Sequence, residues 1–269
     1  MAVKLAGKIA IITGSGSGIG RATARCMAAE GATVIINDIN LVNARKVANE
    51  IRKEKGKAFA IKADVTKSPQ VKRMIDRVLK RFGHIDIVMN NAGVGGEHIG
   101  PPLSNITDED WDKTFAVNCK GIFIMCKAVM DHMKARKSGK IINISSVAGK
   151  KPSVTIPAYS ASKAAVIAFT QTLAEELAPY NVQVNAICPG IIWTPMWEAF
   201  AGKLSERNPF LKGQLAANAF KAITSTPTGD MQRVQQPEDI GLLAVFLASD
   251  DSKRITGEAI SVEAPTPNT

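Results

Sequence analysis

The 269 residues, 45% of them hydrophobic, suit one α/β domain that buries a sizeable core. The net charge is +10, from 34 basic and 24 acidic residues. The basic residues read as scattered over helix faces, with no aromatic-basic stripe, which argues for a solvated basic surface and against nucleic-acid binding. No apolar run approaches the ~20 residues of a membrane span, and with a strand expected almost at once after residue 1, no signal peptide is expected. Cys26, Cys119, Cys126 and Cys188 lack C-x-x-C spacing and read as reduced core residues, so a cytoplasmic location is expected. His84, His98 and His132 have no metal-ligand spacing, and no metal is expected.

In chain order, residues 8–13 are a short apolar run, right for a strand buried on both faces. They lead into Gly14-Ser15-Gly16-Ser17-Gly18-Ile19-Gly20, and a helix is expected over 21–30, stopped by Gly31. Strand, glycine loop and helix in that order form the context of a dinucleotide-binding turn, in which backbone approaches a pyrophosphate at a helix N-terminus. A second strand, 33–37, ends at Asp38, 18 residues after Gly20. An acidic residue there takes ribose hydroxyls or, as the other physical reading, caps the helix expected over 41–55. A third strand (58–63) closes with Asp64-Val65, a helix covers 69–82, and a fourth strand (85–89) runs into Asn90-Asn91-Ala92-Gly93.

A Gly/Pro loop leads to a long helix over 107–136, opened by Asp108, Glu109 and Asp110 in the dipole-favoured first turn. It carries Asn118 among apolar neighbours. After a fifth strand (140–145) comes a helix over 157–177, apolar all round near Val166–Phe169 and so expected to bury one side on the sheet and the other on a partner subunit. A sixth strand covers 182–187, an irregular segment 191–236 reads as a lid, and a helix (237–248) and a strand (258–262) close the chain. The alternation predicts a parallel, doubly wound sheet with right-handed crossovers.

Tyr159 and Lys163 stand four residues apart, which on a helix places them on one face, a turn apart. An ammonium beside a phenol favours the phenolate, making Tyr159 a candidate general acid or base. Ser146, at the end of the fifth strand, can present a hydroxyl to the same point. An exposed tyrosine beside a solvated lysine is the plain alternative.

Taken together, Thr13 to Gly20, Asp64-Val65, Asn90 to Gly93, Asn118, Ser146, Tyr159-x-x-x-Lys163 and Pro189-Gly190 with Thr194 make the chain resemble the short-chain dehydrogenase/reductase family from about residue 5 to 262. The resemblance implies a single Rossmann-like domain over 1–269, with a parallel seven-stranded sheet flanked by helices on both faces. It implies catalysis by Asn118, Ser146, Tyr159 and Lys163. Tyr159 would move the proton, Ser146 would bind the substrate oxygen, Lys163 would lower the tyrosine pKa and hold the nicotinamide ribose, and Asn118 would orient a water. The same resemblance lays the cofactor, NAD by virtue of Asp38, along Gly14, Ser17, Gly18, Ile19 and Gly20, then Asp64, Val65, Asn91, Ala92, Gly93, Pro189, Gly190, Ile192 and Thr194, with Tyr159 and Lys163. Asn143 and Ser145 are expected to be structural. The C-terminus departs from the family's usual Asp-Gly-Gly, which bears on the implied homotetramer.

The run Thr194-Pro195-Met196-Trp197 resembles that of diol and polyol dehydrogenases and of hydroxyacyl-thioester enzymes. A secondary alcohol and its ketone are the expected substrates, led by a small diol or polyol. A 3-hydroxyacyl-CoA or 3-oxoacyl thioester and a cyclic alcohol or steroid are the alternatives. A non-catalytic NAD-binding regulator is the other class, and it would be expected to lack the tyrosine or the lysine.

Overall fold

The computed structural model describes residues 3–96, 103–207, 215–218 and 235–263. Seven parallel strands form one sheet: β1 (Ile9–Thr13), β2 (Thr33–Asp38), β3 (Lys57–Lys62), β4 (Ile87–Asn90), β5 (Gly139–Ile144), β6 (Val182–Pro189) and β7 (Ala259–Val262), in the order β3-β2-β1-β4-β5-β6-β7. The helices are α1 (Gly18–Ala29), α2 (Leu41–Lys53), α3 (Ser68–Phe82), α4 (Asp108–Phe115), α5 (Gly121–Arg136), α6 (Pro157–Leu177), α7 (Pro195–Arg207) and α8 (Pro237–Ala248).

Strand alternation sorts the core into two layers. Ala10, Ile12, Val34, Ile36, Ile87 and Met89 face one cluster with α1, α2 and α8. The intervening Ile9, Ile11, Ile35 and Val88 face the other, with α3, α5 and α6. The inner strands β1, β2, β4, β5 and β6 are buried on both sides because helices cover both faces, so they read as largely continuous apolar runs rather than as alternation. The strand order reverses between β1 and β4, and the crevice at the carboxyl ends of these two strands is where such sheets take ligands.

Two local features differ from the sequence expectation. Helix α1 starts at Gly18, not at residue 21, so the last glycines of the loop are already helical. Gly20 permits this: a Cβ there would lie 2.6 Å from the Gly14 carbonyl oxygen and 2.5 Å from Asn91 Nδ2. The helix expected over 107–136 is broken by a π turn over Ala116–Lys120, a feature that often re-aims a side chain at a functional site. Gly121 then lets α5 press on Val65, where a Cβ would come within 2.8 Å. Helix α6 is covered on one side by the described residues. Val166, Thr170, Leu173 and Ala174 are buried, whereas Ala165 and Ala168 are exposed and Phe169 is half-buried.

The lid expected over 191–236 lies partly outside the described residues; α7 falls within it. The C-terminal departure, over 261–269, is described only as far as Glu263, with Ser261 and Val262 ending β7. No helix among the described residues is long and apolar enough to cross a membrane.

Candidate active site

The glycine loop leaves β1 and is held from beneath by β4. Thr13 Oγ1 accepts from the backbone N–H of Asn91 and of Ala92, both at 3.0 Å. Asn91 Nδ2 donates to the carbonyls of Thr13 (2.9 Å) and Gly14 (3.0 Å). Gly14 has a φ of +60° and packs against Ala92, where a Cβ would sit 2.7 Å from Cα, so a side chain is excluded on both counts. Ser17 stands at the N-cap of α1 with its side chain making no capping bond, which leaves the first N–H groups of that helix for an anion.

Asp38 closes over the loop. Its Oδ2 accepts from Gly16 N (2.9 Å) and its Oδ1 from Asn40 N (2.8 Å). Each oxygen keeps a lone pair, so the carboxylate can still accept from two further hydroxyls. The alternative role is taken by Asn40, whose Oδ1 caps α2 by accepting from Val42 N and Asn43 N. A Cβ on Gly16 would lie 2.7 Å from Asp38 Oδ2; the bare backbone there is a cradle that a side chain would fill. Uncapped helix amides, this cradle and a two-acceptor carboxylate together fit a dinucleotide.

Further along, Asp64 Oδ1 accepts from Thr66 N and Thr66 Oγ1, while Val65 is buried beneath α5. Thr194 lies over the loop, its Cγ2 3.4 Å from where a Gly18 Cβ would be. Its Oγ1 also accepts from Trp197 N at the start of α7 (3.3 Å). Pro189 ends β6, Gly190 N donates to Val262 O (3.0 Å), and Ile192 is buried in the first core cluster.

The second half of the site rests on α6. The helical spacing brings Lys163 Nζ to 5.5 Å from the Tyr159 ring centroid. Lys163 is buried, and its ammonium donates to Ile144 O at 2.8 Å. Ser145 Oγ donates to the Lys163 carbonyl (2.7 Å), tying β5 to α6. Gly149 packs against that same carbonyl, where a Cβ would come within 2.8 Å. Ser146 is buried at the head of a short 3₁₀ turn, Val147–Gly149, its Oγ accepting from Ala148 N (3.1 Å).

Asn118, on the π turn, is fully buried. Its Oδ1 accepts from Val94 N (2.9 Å), and its Nδ2 donates to Val94 O and Ser162 Oγ, both at 3.0 Å. Both amide hydrogens are therefore used, and one lone pair of Oδ1 remains for a water. Gly93 brings the two halves together: a Cβ there would lie 3.2 Å from Asn118 Oδ1 and 3.6 Å from Lys163 Nζ. Asn143 is structural, accepting from Asn90 Nδ2 (2.8 Å) and donating to Thr170 Oγ1 (2.9 Å).

Burial governs both titrating groups. It pushes the Tyr159 phenol above its ordinary value, against a hydrogen bond with Ser146 that acts the other way. It pushes Lys163 down from 10.5 to about 8. The phenol is therefore not lowered by its neighbour in the chain alone; Lys163 faces the Ile144 carbonyl. Sequence reasoning did not single out Thr13, Gly149 or Ser162 as supports of the site. Thr13 opens the glycine motif, Gly149 lies three residues after Ser146 and Ser162 just before Lys163, so their closeness to motif residues was the available signal.

A family model described as short chain dehydrogenase matches residues 8–204. The chain is 38% identical over 262 residues to a galactitol 2-dehydrogenase of Agrobacterium fabrum, covering 97% of this chain and 98% of that one. It is 37% identical over 261 residues to a 3-oxoacyl-[acyl-carrier-protein] reductase of Thermotoga maritima, with the same two coverages of 97% and 98%. Among solved structures, an NAD⁺-bound xylitol dehydrogenase superposes with a TM-score of 0.87 at 32% identity, covering 97% of this chain and all of that one.

The Lys163 shift has a measurable consequence. A lysine whose folded pKa is about 8 against 10.5 when free burdens the folded state fully below pH 8, and the burden is lifted as pH rises from 8 through 10.5. Relative to wild type, Lys163→Met should therefore be most stable near pH 7, with the difference in Tm shrinking toward pH 10. A Tm difference that does not change with pH would mean that this ammonium is not desolvated.

Proposed function

The chain belongs to the short-chain dehydrogenase/reductase family, and from that premise we propose an NAD(H)-dependent enzyme that interconverts a secondary alcohol, led by a small diol or polyol, with its ketone. The observation that carries the cofactor choice is the Asp38 carboxylate lying across the Gly16 amide. Two ribose hydroxyls suit its remaining lone pairs, whereas the 2′-phosphate of NADP would set nearly two negative charges against it, at a cost of a few kcal/mol even when partly screened. The loop residues Ser15, Gly16 and Ser17 and the following Ile39 and Asn40 carry no charge to offset this. Arg21 pairs with Glu50 at 2.8 Å. Lys62 stands in register with Asp38 on β3 and is exposed.

When bound, the nicotinamide cofactor supplies the hydride acceptor or donor. Gly14, Ser17, Gly18, Ile19 and Gly20 would hold the pyrophosphate, Asp38 the adenosine ribose, and Asp64 and Val65 the adenine. Asn91, Ala92, Gly93, Pro189, Gly190, Ile192 and Thr194 would line the nicotinamide half. Ser146 donates a hydrogen bond to the substrate oxygen, where charge develops. Tyr159 takes the alcohol proton in oxidation and returns it in reduction. Lys163 would hold the nicotinamide ribose and pass the proton onward through a water at Asn118 Oδ1. Because burial raises the Tyr159 pKa, the resting phenol is protonated and ready to donate to a ketone. Alcohol oxidation, which needs the phenolate, therefore gains with rising pH.

Relatives that act on galactitol and xylitol support the polyol reading; the thioester reading draws on the acyl-carrier-protein reductase. We place the protein in a homo-oligomer, a tetramer, through the side of α6 that carries the exposed Ala165 and Ala168 and the half-buried Phe169, together with Phe123 of α5, 48% exposed.

An initial-rate screen of diols, polyols, cyclic alcohols and hydroxyacyl-CoA esters with NAD and with NADP tests the proposal. The expected result is a polyol or diol turned over with NAD preferred by at least about a hundredfold in kcat/KM, a difference of ~2.7 kcal/mol. Equal values for the two cofactors would refute the role of Asp38. Turnover confined to thioesters would move the substrate to the second reading. Light scattering at micromolar concentration should give four chains per particle and fewer in Ala168→Glu; a wild-type monomer would contradict the assembly.

A further inference from the structure

The basic excess that looks scattered along the sequence is gathered at one edge of the fold. Residues 41–82 hold thirteen basic and four acidic residues, a net +9 of the chain's +10. They build α2, β3 and α3, and β3 ends the sheet with β2 as its one neighbour. There Arg45 and Arg52 of α2 and Arg77 and Arg81 of α3 line one cavity of 220 Å³ with Phe59 and Phe82. The spacing explains the convergence. Arg45 and Arg52 are seven apart, two turns of one helix face, and Arg77 and Arg81 are four apart, one turn of another.

Two of the four guanidiniums are fixed by the fold. Arg81 lies over the Phe59 ring at 4.2 Å, which leaves its in-plane donors open. Arg52 donates to Ala58 O at 3.2 Å and to Asn49 Oδ1, covering part of the free strand edge. Arg45 and Arg77 have no hydrogen-bond or ion-pair partner among the described residues. The four carboxylates of this region are engaged elsewhere: Glu50 with Arg21, Glu54 with Arg25, Asp76 with Lys72, and Asp64 with the backbone N–H and hydroxyl of Thr66. Four positive charges thus surround one small cavity with no carboxylate of α2 or α3 neutralising it.

The place is distinct from the active site. β3 and β5 are four strand spacings apart, roughly 19 Å. Phe59 pairs with Ile35, three residues before Asp38 and so about 10 Å back toward the N-terminal ends of the strands. Ile61, at the near end of the cavity, pairs with Asn37, so the cavity begins about one strand step behind Asp38 and extends back past Phe59, away from the crevice.

We propose that the α2–β3–α3 edge is a second binding site, for a compact anion carrying two or more phosphate groups, gripped by Arg45 and Arg77 and backed by Arg52 and Arg81. Guanidinium forks match phosphate oxygens in pairs. A cavity of 220 Å³ holds a short polyphosphate rather than a folded partner. Protection of the β3 edge against strand pairing accounts for Arg52, but not for two arginines left without partners.

Calorimetric titration of the NAD-saturated protein with inorganic tripolyphosphate, in about 0.15 M KCl to suppress loose surface attraction, tests this. The expected result is saturable one-to-one binding at least about tenfold tighter than sulfate, weakened at least about tenfold in Arg45→Gln/Arg77→Gln, with alcohol oxidation and Tm unchanged. If the double variant loses stability, Arg77→Gln alone provides the same comparison. Equal affinity for tripolyphosphate and sulfate, or binding that survives the substitutions, would overturn the site. Tight, steeply salt-dependent binding of a duplex oligonucleotide with none of tripolyphosphate would replace it with an extended nucleic-acid surface. Because the readout is binding at a remote edge, it stands or falls separately from the substrate and cofactor readings.

Discussion

A buried ammonium at the end of a parallel sheet is the constraint around which the catalytic half of this fold is built. Lys163 has left water, and what it receives in return is one backbone carbonyl, that of Ile144. Such a group needs its surroundings held still, because an unpaired buried charge is costly. Ser145 clamps the lysine's own carbonyl to β5, and Gly149 lets the following turn lie flat against it. Ser162, one residue before, joins Tyr159 O and Asn118 Nδ2. The π turn at Ala116–Lys120 is the point where the long helix yields so that Asn118 can face inward. Each support is small and local, and together they fix the position of the tyrosine ring.

The cofactor half follows a different logic, that of exposed backbone. Its loop is braced from below by Asn91 and Thr13, and its anion-binding amides are left uncapped. The one charged side chain placed across it, Asp38, is negative and already ordered by two backbone N–H groups. On the proposed reading, preorganisation of this kind would favour hydroxyl donors over a phosphate. The two halves meet at Gly93, where the absence of a side chain lets Asn118 and Lys163 approach the loop after β4.

Much of this was legible in the sequence because the chemistry is local. Continuous apolar runs gave strands buried on both faces, and the four-residue spacing of Tyr159 and Lys163 gave their shared helix face. What was not legible depends on tertiary packing. A π turn leaves no propensity signal; it follows from Gly121 pressing on Val65 and from the partners of Asn118. The start of α1 at Gly18 follows from contacts that only a glycine at 20 permits. The arginines of α2 and α3 look dispersed because they recur at helical spacing in two separate helices, and they become one cluster only when both flank β3. The direction of the Tyr159 shift also differs from the expectation, since burial is absent from a reading of neighbours along the chain.

On the proposed reading Tyr159 is the group that exchanges the proton with the substrate, while Ser146 holds the substrate oxygen and Lys163 carries the proton on toward solvent. Tyr159→Phe removes one oxygen and leaves the ring in place. Measured side by side, NAD affinity by fluorescence titration and kcat for the best alcohol should separate cleanly. The account predicts unchanged NAD affinity with kcat lowered by at least about a thousandfold. A variant that keeps about a tenth of wild-type kcat would contradict it, because a group that transfers the proton cannot be removed at so small a loss.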